Sequence, residues 1–364
     1  MEISQFMKMG TSENMIKKQD GQEQKVNNGS IAIQAGGDVS LGISVTEARQ
    51  IALDLWKANF IELSANAKEI ADTRVQEITD KVLEKLQREF PAGIEKAEDP
   101  DFQYALFTVQ KEYARNGDEN LGDLLVDLLV DRSKLQQRDI LQIVLNESLN
   151  TAPKLTESQL AALSVIFQFK YTQNLHVGNH KLLGDYFDRT ISPFISSIVK
   201  NRACYQHLEF TGCGSIGFVS NSLESILCQT YQGQFLKGFE NKEIIDRGVT
   251  IGNDQRFFIP CLNDPTKVQI RANNKEMLEK AYNENEIPAE DRIKISQLFD
   301  LNKMSETEIQ EKCISIRPYM AELFDKWSHS ELGNFSLTSV GIAIGHANIK
   351  RLSGEFADLS IWIN

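Results

Sequence analysis

The sequence predicts a mainly α-helical protein that carries a small amount of β structure. Residues 44–88 contain no Pro and no Gly, and their apolar residues recur at helical spacing. Three segments fit helix capping boxes, at Ser44–Glu47, Thr156–Gln159 and Ser305–Glu308. Strand-like alternation is confined to short stretches. We therefore expect helices to form the body of the protein and strands to be accessory.

Composition limits the classes of function. The chain has 364 residues, of which 41% are hydrophobic, and its net charge is −12 from 39 basic and 51 acidic residues. An acidic field repels polyanions, so we do not expect a nucleic-acid partner. Five scattered cysteines do not suggest a disulfide framework, and there is no secretory signal. No window approaches ~18 consecutive apolar residues. We expect a bacterial cytoplasmic protein that does not engage a membrane in its resting state.

The first 43 residues divide into two parts. Residues 1–29 are polar and poor in aliphatic side chains, which predicts a disordered tail. Residues 30–43 alternate apolar and small residues around Gly36-Gly37, which predicts a short β segment. So short a hairpin is marginal alone. It would dock on its own chain as an edge hairpin, assemble with other copies as an oligomerisation element, or remain disordered.

A long amphipathic helix is predicted next, beginning at Ser44. If residues 44–88 form one helix, its length is about 65 Å. So long a helix must cover its apolar stripe with other helices, from this chain or from a second copy. A break near residues 59–66 would instead give two ordinary helices, and the sequence leaves both forms open.

The rest of residues 44–172 is predicted to complete an N-terminal helical domain. Phe90-Pro91-Ala92-Gly93 ends the first element, because Pro cannot continue a helix. Further helices are expected at 99–115, 121–130, 134–149 and 156–171.

Residues 173–364 are predicted to form an α+β C-terminal domain. The expected helices cover 182–199 with an interruption at Ser192-Pro193, 223–229, 273–285, a stretch that opens at Pro288, another that opens at Ser305, and 337–352. Residues 203–219 resemble a loop or short strands. A β-hairpin is expected from 256–260 and 267–271, and the alternation at 359–364 favours a strand.

The sequence lacks the common catalytic signatures. It has no Walker loop, no dinucleotide-binding glycine turn, no nucleophile elbow and no His-Glu-x-x-His. The glycine-rich run at 212–217 resembles a phosphate-binding loop but lacks the following Lys, so a tight turn explains it better. We expect no cofactor.

One cluster of residue types suggests a metal, with zinc as the candidate. The candidate ligands are His176, His180, Cys204 and His207, since zinc accepts nitrogen and sulfur ligands. The alternative is that these are surface or loop histidines and a core cysteine. Cys213 with His207 is a second, weaker hypothesis for a nucleophile and its base.

Two further patterns lie on predicted helices. Asp123, Asp127 and Asp131 recur every four residues, so their carboxylates stack on one face and need a cation or solvent to accommodate them. Small residues near His346, among them Gly341 and Gly345, indicate close helix packing rather than catalysis.

Several stretches together resemble an uncharacterised bacterial protein family of similar length, over about residues 30–364. They are 36–39, 47–63 (EARQIALDLWKANFIEL), 99–114 (DPDFQYALFTVQKEYA), 122–132 (GDLLVDLLVDR), 208–216 and 337–351 (LTSVGIAIGHANIKR). This resemblance implies no activity and no catalytic residue. The run at 337–345 (LTSVGIAIG) is also similar to the end of Abi-alpha-type abortive-infection proteins, which implies a role in phage defence.

Three functional hypotheses follow. The first is a self-associating interaction or scaffold protein, assembled through its long helix and β segment and binding an unidentified protein partner. The second is a metal- or cysteine-dependent enzyme with its site in residues 172–262. The third is a membrane-acting effector that exposes apolar helices on activation.

Overall fold

The computed structural model describes residues 43–59, 63–135, 137–252, 254–354 and 356–364. Those from Ile43 onward belong to one compact unit. Helices dominate, and two short antiparallel strand pairs accompany them, so the predicted fold class is confirmed. The predicted tail 1–29 and residues 30–42 of the predicted β segment lie outside the described residues.

The predicted long helix is two helices, α1 (Val45–Asn59) and α2 (Ala65–Glu89). Both hydrogen bonds of the Ser44–Glu47 capping box are present. At the end of α1 the side-chain amide of Asn59 donates to the backbone carbonyl of Leu55. Ser64, with φ of −58° and ψ of 153°, is not helical and precedes the first residue of α2. The single-helix alternative for 44–88 is therefore wrong, and the two-helix alternative is confirmed.

The apolar stripe of these helices is covered by the chain itself. Ala52 and Trp56 of α1 are buried, as are Val75, Ile78 and Val82 of α2. They pack between α1, α2 and α3 (Pro100–Asn116), and α2 also packs on α4 (Glu119–Ser133). The stripe therefore does not require a second copy.

Short polar caps start the next helices. Asp99, Asp118, Asp139 and Thr156 each accept a backbone N–H in the first turn of α3, α4, α5 (Ile140–Thr151) and α6 (Glu157–Lys170). The predicted helix at 134–149 thus starts at Ile140, because the Asp139 cap fixes its first turn. Two 3₁₀ helices, Pro91–Glu98 and Ala152–Lys154, connect these elements.

The C-terminal half contains shorter helices. They are α7 (His180–Thr190), α8 (Ser192–Ile195), α9 (Arg202–Phe210), α10 (Leu223–Thr230), α11 (Lys242–Asp246), α12 (Lys275–Glu284), α13 (Ala289–Asp300), α14 (Glu306–Ile316), α15 (Met320–Ser328) and α16 (Ser339–Ser353), with 3₁₀ helices Gln232–Phe235 and Leu359–Ile361. Residues 203–219, predicted to be a loop or short strands, are helical to Phe210, because Asn201 caps α9, and contain one short strand at Gly214–Ile216. The strand predicted at 359–364 is wrong, since Asp358 caps a 3₁₀ turn there.

Two small sheets lie among the described residues. Strands β2 (Phe258–Pro260) and β3 (Val268–Ile270) form the predicted hairpin, which is confirmed. Strands β1 (Gly214–Ile216) and β4 (Phe335–Leu337) pair antiparallel, with Ser215 opposite Ser336.

Helix α16 lies at the centre of the main core, against α4, α5 and α6. A Cβ at Gly345 would lie 2.9 Å from the carbonyl oxygen of Leu163, and one at Gly341 would overlap that of Cys213. The predicted close packing here is confirmed. Elements before and after residue 172 share this core, while a smaller core joins apolar side chains of residues 236–299. Independent folding of 44–172 and 173–364 stays a prediction.

Candidate functional site

The four candidate zinc ligands are placed in three different local settings. His176 lies in an exposed turn, and Nε2 of His180, which opens α7, is 2.9 Å from the carbonyl oxygen of Gln234. Cys204 and His207 are one turn apart on α9, with His207 Nδ1 2.9 Å from the amide nitrogen of Gln159. Across the described part of the chain, no three His, Cys, Asp or Glu side chains are arranged to hold a metal ion.

The thiol environments do not favour nucleophilic chemistry. Burial raises the pKa of Cys204 and of Cys213, which disfavours the thiolate. The hydroxyl of Thr211 lies 3.5 Å from the sulfur of Cys213. Gly212 has φ of +77° at the turn into β1, so the glycine-rich run serves the backbone geometry of this turn.

The three stacked aspartates of α4 each face a lysine of the same chain. Lys81 Nζ lies 2.7 Å from a carboxylate oxygen of Asp123, and Lys85 forms an ion pair with Asp127. Asp131 lies 2.8 Å from Lys350 of α16. Lysines from α2 and α16 thus compensate the negative charges of the three stacked aspartates. Neither a metal ion nor solvent alone is needed to offset the repulsion between these carboxylates.

The aspartates of this row differ in their burial, and Asp127 in the middle is the most buried. Asp123 is half-exposed, whereas the side chain of Asp127 is 1% exposed. Burial raises the pKa of Asp127 although Lys85 opposes the effect. At Asp131 burial also disfavours the charge, but Lys350 and Lys134 outweigh it and hold the pKa below its ordinary value.

The row ends at a cavity of about 810 Å³. Helices α2, α4 and α16 all end there, and their last turns contribute Arg88, Asp131 and Lys350 to its wall. The described residues that line it are Arg88, Glu89, Asp131, Lys134, Leu135, Leu141, Leu145, His346, Lys350, Gly354, Phe356, Ala357, Asp358 and Leu359. Charged and polar side chains make up half of this lining, and the other half is apolar or glycine.

The carboxylate of Glu89 lies close to four cationic side chains. It is 3.2 Å from Arg88, 3.6 Å from Lys350, 3.7 Å from Lys134 and 3.8 Å from Lys85. Burial disfavours its charge, yet these cations hold its pKa below the ordinary value. Glu89 is therefore ionised at neutral pH, and both signs of charge stand side by side in the wall.

His346 is the one uncharged polar side chain among the described lining residues. It is 2% exposed, its Nε2 lies 2.7 Å from the carbonyl oxygen of Ala357, and its Nδ1 is buried without a hydrogen-bond partner. Burial lowers its pKa, so the ring is neutral at pH 7. Because Nε2 must carry the proton to donate to Ala357, Nδ1 is left as an unused acceptor.

A second unusual surface flanks β1, and we call it the β1 flank: Phe210, Phe218 and Val219. Phe218 is fully exposed, and Phe210 at the end of α9 is 86% exposed. The loop after β1 is held at both ends, by Gly217 N–H to Asn334 O at 2.8 Å and Asn221 N–H to Gly333 O at 3.0 Å. The exposed side chains are therefore presented by a fixed backbone.

The segments around β1 and β4 also lack charge. Residues 210–223 and 332–349 contain no Asp, Glu, Lys or Arg, in a chain of which 25% is charged. Both strands of this small sheet lie inside these segments. The β1 flank is thus an apolar surface set in uncharged chain.

A protein-family model matches residues 42–363, which is most of the chain. The chain belongs to this family. The family is uncharacterised, as the resemblance noted in the sequence led us to expect. No curated protein and no solved structure matches the chain. None of the described helices combines the length and the apolar character needed to cross a bilayer.

Sequence reasoning missed most of the residues of these two surfaces. It named His346 only as part of a packed helix, and did not connect Lys350 or Glu89 with the aspartates. The sequence does contain a pattern that predicts these ion pairs. Lys81, Lys85 and Glu89 recur every four residues, which is the spacing of the three aspartates. The uncharged run at 210–223 was likewise visible and would have pointed to Phe218.

Proposed function

We propose that this chain is a self-associating interaction protein whose contact surface is the β1 flank. The observation that carries the proposal is the full exposure of Phe218 on a loop fixed at both ends. Large apolar side chains so exposed are unfavourable in water, and clusters of them mark interaction sites. This contact surface differs from the one expected from the sequence, because the apolar stripe of α1 and α2 is already covered.

A second copy of the chain is the partner that the charge pattern favours. At a net charge of −12, two copies repel each other over most of their surfaces. The uncharged segment 210–223, which carries the β1 flank, adds no charge to that repulsion. In a two-fold dimer the same patch meets itself, so Phe218 of each copy would pack near the other.

The free energy expected from burying the flank is of the size needed for a reversible dimer. Burying a Phe side chain contributes roughly 1.5–3 kcal/mol. Two copies of each flank residue would be buried together, while association costs several kcal/mol of translational and rotational freedom. We therefore expect a dimer that dissociates on dilution.

The test is the molar mass of the full-length protein over a dilution series, measured by light scattering and sedimentation. The wild type should pass from dimer to monomer. The double variant Phe218→Ser/Val219→Ser should weaken association at least about tenfold, since about 1.4 kcal/mol corresponds to a factor of ten. These side chains are exposed, so the variant should fold normally.

A matched control removes exposed apolar side chains elsewhere. Ile245 is 76% exposed and Ile293 is 62% exposed, and both lie outside the uncharged segments. Ile245→Ser/Ile293→Ser should associate like the wild type. A wild type that stays monomeric at its highest concentration, or equal weakening in both double variants, refutes the proposal.

Phage defence and a cytoplasmic location stay predictions that accompany this proposal. The run at 337–345 that resembles abortive-infection proteins leads into α16 and forms about its first half, which is apolar because α16 is the central core helix. Challenging cells that express the wild type or the Phe218→Ser/Val219→Ser variant with phage would test the biological role. Protection by the wild type alone would link defence to self-association.

A further inference from the structure

Residues 356–364 lie as a strap across α6 and α16. The rings of Phe356 and Trp362 contact Phe167 of α6, and the indole N–H of Trp362 donates to the carbonyl oxygen of Tyr171 at 2.7 Å. Ile363 is buried in the main core. The strap is therefore held in place by ring contacts, by buried side chains and by individual hydrogen bonds.

His346 of α16 joins this strap to the centre of the core. Its Nε2 donates to the carbonyl oxygen of Ala357 at 2.7 Å. Its ring centroid lies 5.4 Å from that of Phe356, 5.8 Å from that of Trp362 and 6.1 Å from that of Phe167. Within the described structure the side chain is 2% exposed and Nδ1 is buried without a hydrogen-bond partner. These surroundings suit a neutral imidazole and offer no acceptor to a second ring N–H.

We propose that residues 356–364 form an acid-released strap, which protonation of His346 detaches from the core. A proton on Nδ1 creates a buried N–H without an acceptor and a positive charge among aromatic rings. Both are costly where water is excluded. When the strap lifts away, the imidazolium reaches water and both costs are removed. Protonation and release therefore favour each other.

The electrostatics of the surrounding elements agree with this direction. Burial has the largest effect on the ring, and it lowers the pKa of His346 below the ordinary value. The hydrogen bond to the strap and the carboxylates of Asp131 and Asp358 act in the opposite sense, while Lys350 adds to the lowering. Asp131 is itself paired with Lys350 at 2.8 Å, and Glu89 of α2 lies 3.6 Å from Lys350. The carboxylate of Asp131 is thus already engaged by a cation.

The sign of the pH effect follows from this lowered pKa. An imidazole in water has a pKa of about 6.5. The closed strap binds a proton less readily than the open strap, so the closed form loses stability as the pH falls below about 6.5. Opening should increase by up to about tenfold for each pH unit until the pKa of the closed form is reached. The pKa values of Asp131, Asp358 and Glu89 are lowered, so these carboxylates stay ionised at pH 5.

Hydrogen exchange of the full-length protein, measured by mass spectrometry at pH 7 and pH 5, tests this inference. After correction for the direct effect of pH on amide exchange, residues 356–364 should exchange at least about tenfold faster at pH 5. Peptides from α12 and α13, in the smaller core, report global unfolding and should keep their protection. Unchanged exchange of the strap, or an equal loss of protection in α12 and α13, overturns the proposal.

Two histidine variants assign the effect to one ring. His346→Gln keeps a donor for the carbonyl of Ala357 but cannot titrate, so its strap should change by less than about twofold between the two pH values. His329→Gln is the matched control, because His329 is an exposed histidine at the end of α15, and it should respond to acid as the wild type does. If the strap of His346→Gln still opens about tenfold in acid, another group is responsible and the inference fails.

Trp362→Phe keeps the inference testable if His346→Gln does not fold. This variant loses the bond to Tyr171 but retains an aromatic ring, so its strap should open about fivefold more often at both pH values. Its response to acid should match that of the wild type, and a response that disappears contradicts control by His346. The inference is independent of self-association: Phe218→Ser/Val219→Ser should release its strap in acid as the wild type does, so the two proposals can fail separately.

Discussion

The cavity wall and the β1 flank reverse the usual distribution of side chains in opposite ways. The wall buries the ion pairs of Lys350 with Asp131 and Glu89, whereas the flank exposes Phe210 and Phe218. In the wall every buried charge is compensated by a neighbour, so its cost is met inside the fold. The flank has no such compensation in the described structure. The ion pairs of the wall are therefore stable without a binding partner, whereas the flank would be stabilised by burying its apolar side chains against one.

The largest expected effect is on the most buried ion pair of the row, between Lys85 and Asp127. Lys85→Met leaves the carboxylate of Asp127 buried without its ammonium partner, so the free energy of unfolding at pH 7 should fall by about 3–5 kcal/mol. Lys81→Met, at the half-exposed Asp123, is the matched control and should cost less than about 1 kcal/mol. Urea denaturation measures both. Equal losses would show that burial does not distinguish the two pairs.

Acidification should reverse part of that loss. Without Lys85, the pKa of Asp127 rises further above its ordinary value, so the folded state binds a proton more readily than the unfolded state and gains stability as the pH falls. The pKa values of Asp131 and Glu89 are lowered, so their stabilisation is kept down to about pH 4 and is lost only below it. The deficit of Lys85→Met should therefore be smaller at pH 5 than at pH 7.

An intermediate effect is expected beneath the β1 flank. Gly341→Ala places a Cβ against the carbonyl oxygen of Cys213, so α16 or the turn before β1 must shift. Such overpacking costs about 1–3 kcal/mol. Gly354→Ala faces open space but has φ of +84°, so its cost comes from backbone strain and should be about 1 kcal/mol. Thermal unfolding compares the two, and an unchanged melting temperature for Gly341→Ala would contradict this packing.

The smallest expected effect on folding is at the flank itself. Phe218→Ser removes a side chain with almost no contacts to lose, so the free energy of unfolding of the monomer should change by less than about 0.5 kcal/mol. Denaturation at a concentration far below that of dimer formation isolates the monomer. A loss above about 1 kcal/mol would mean that Phe218 supports its own fold, and the contrast with the cavity wall would disappear.

Features set by local chemistry could be predicted from the sequence. The three capping boxes form because the partners are three residues apart, so the sequence alone brings them together. The β2–β3 hairpin was predictable for the same reason, since one turn fixes its register. The break before α2 was only one of two alternatives, because helical periodicity continues across it.

Features set by distant partners could not be predicted. Lys350 meets Asp131 only because α16 returns to α4 across 219 positions of sequence. The alternation at 359–364 reads as a strand, but Trp362 donates to the carbonyl of Tyr171 and the cap at Asp358 turns the chain. Nδ1 of His346 is likewise identified as an acceptor only by the structure, in which Nε2 donates its proton to the carbonyl of Ala357.

The position of α16 has a consequence for biosynthesis. Helices α4, α5 and α6 leave the ribosome long before the helix that fills the space between them. Until then their apolar faces are open to water and to other nascent chains, and the carboxylate of Asp131 lacks Lys350. Vectorial folding from the N-terminus therefore cannot complete this core. The apolar faces of α4, α5 and α6 are therefore buried only after α16 has been synthesised.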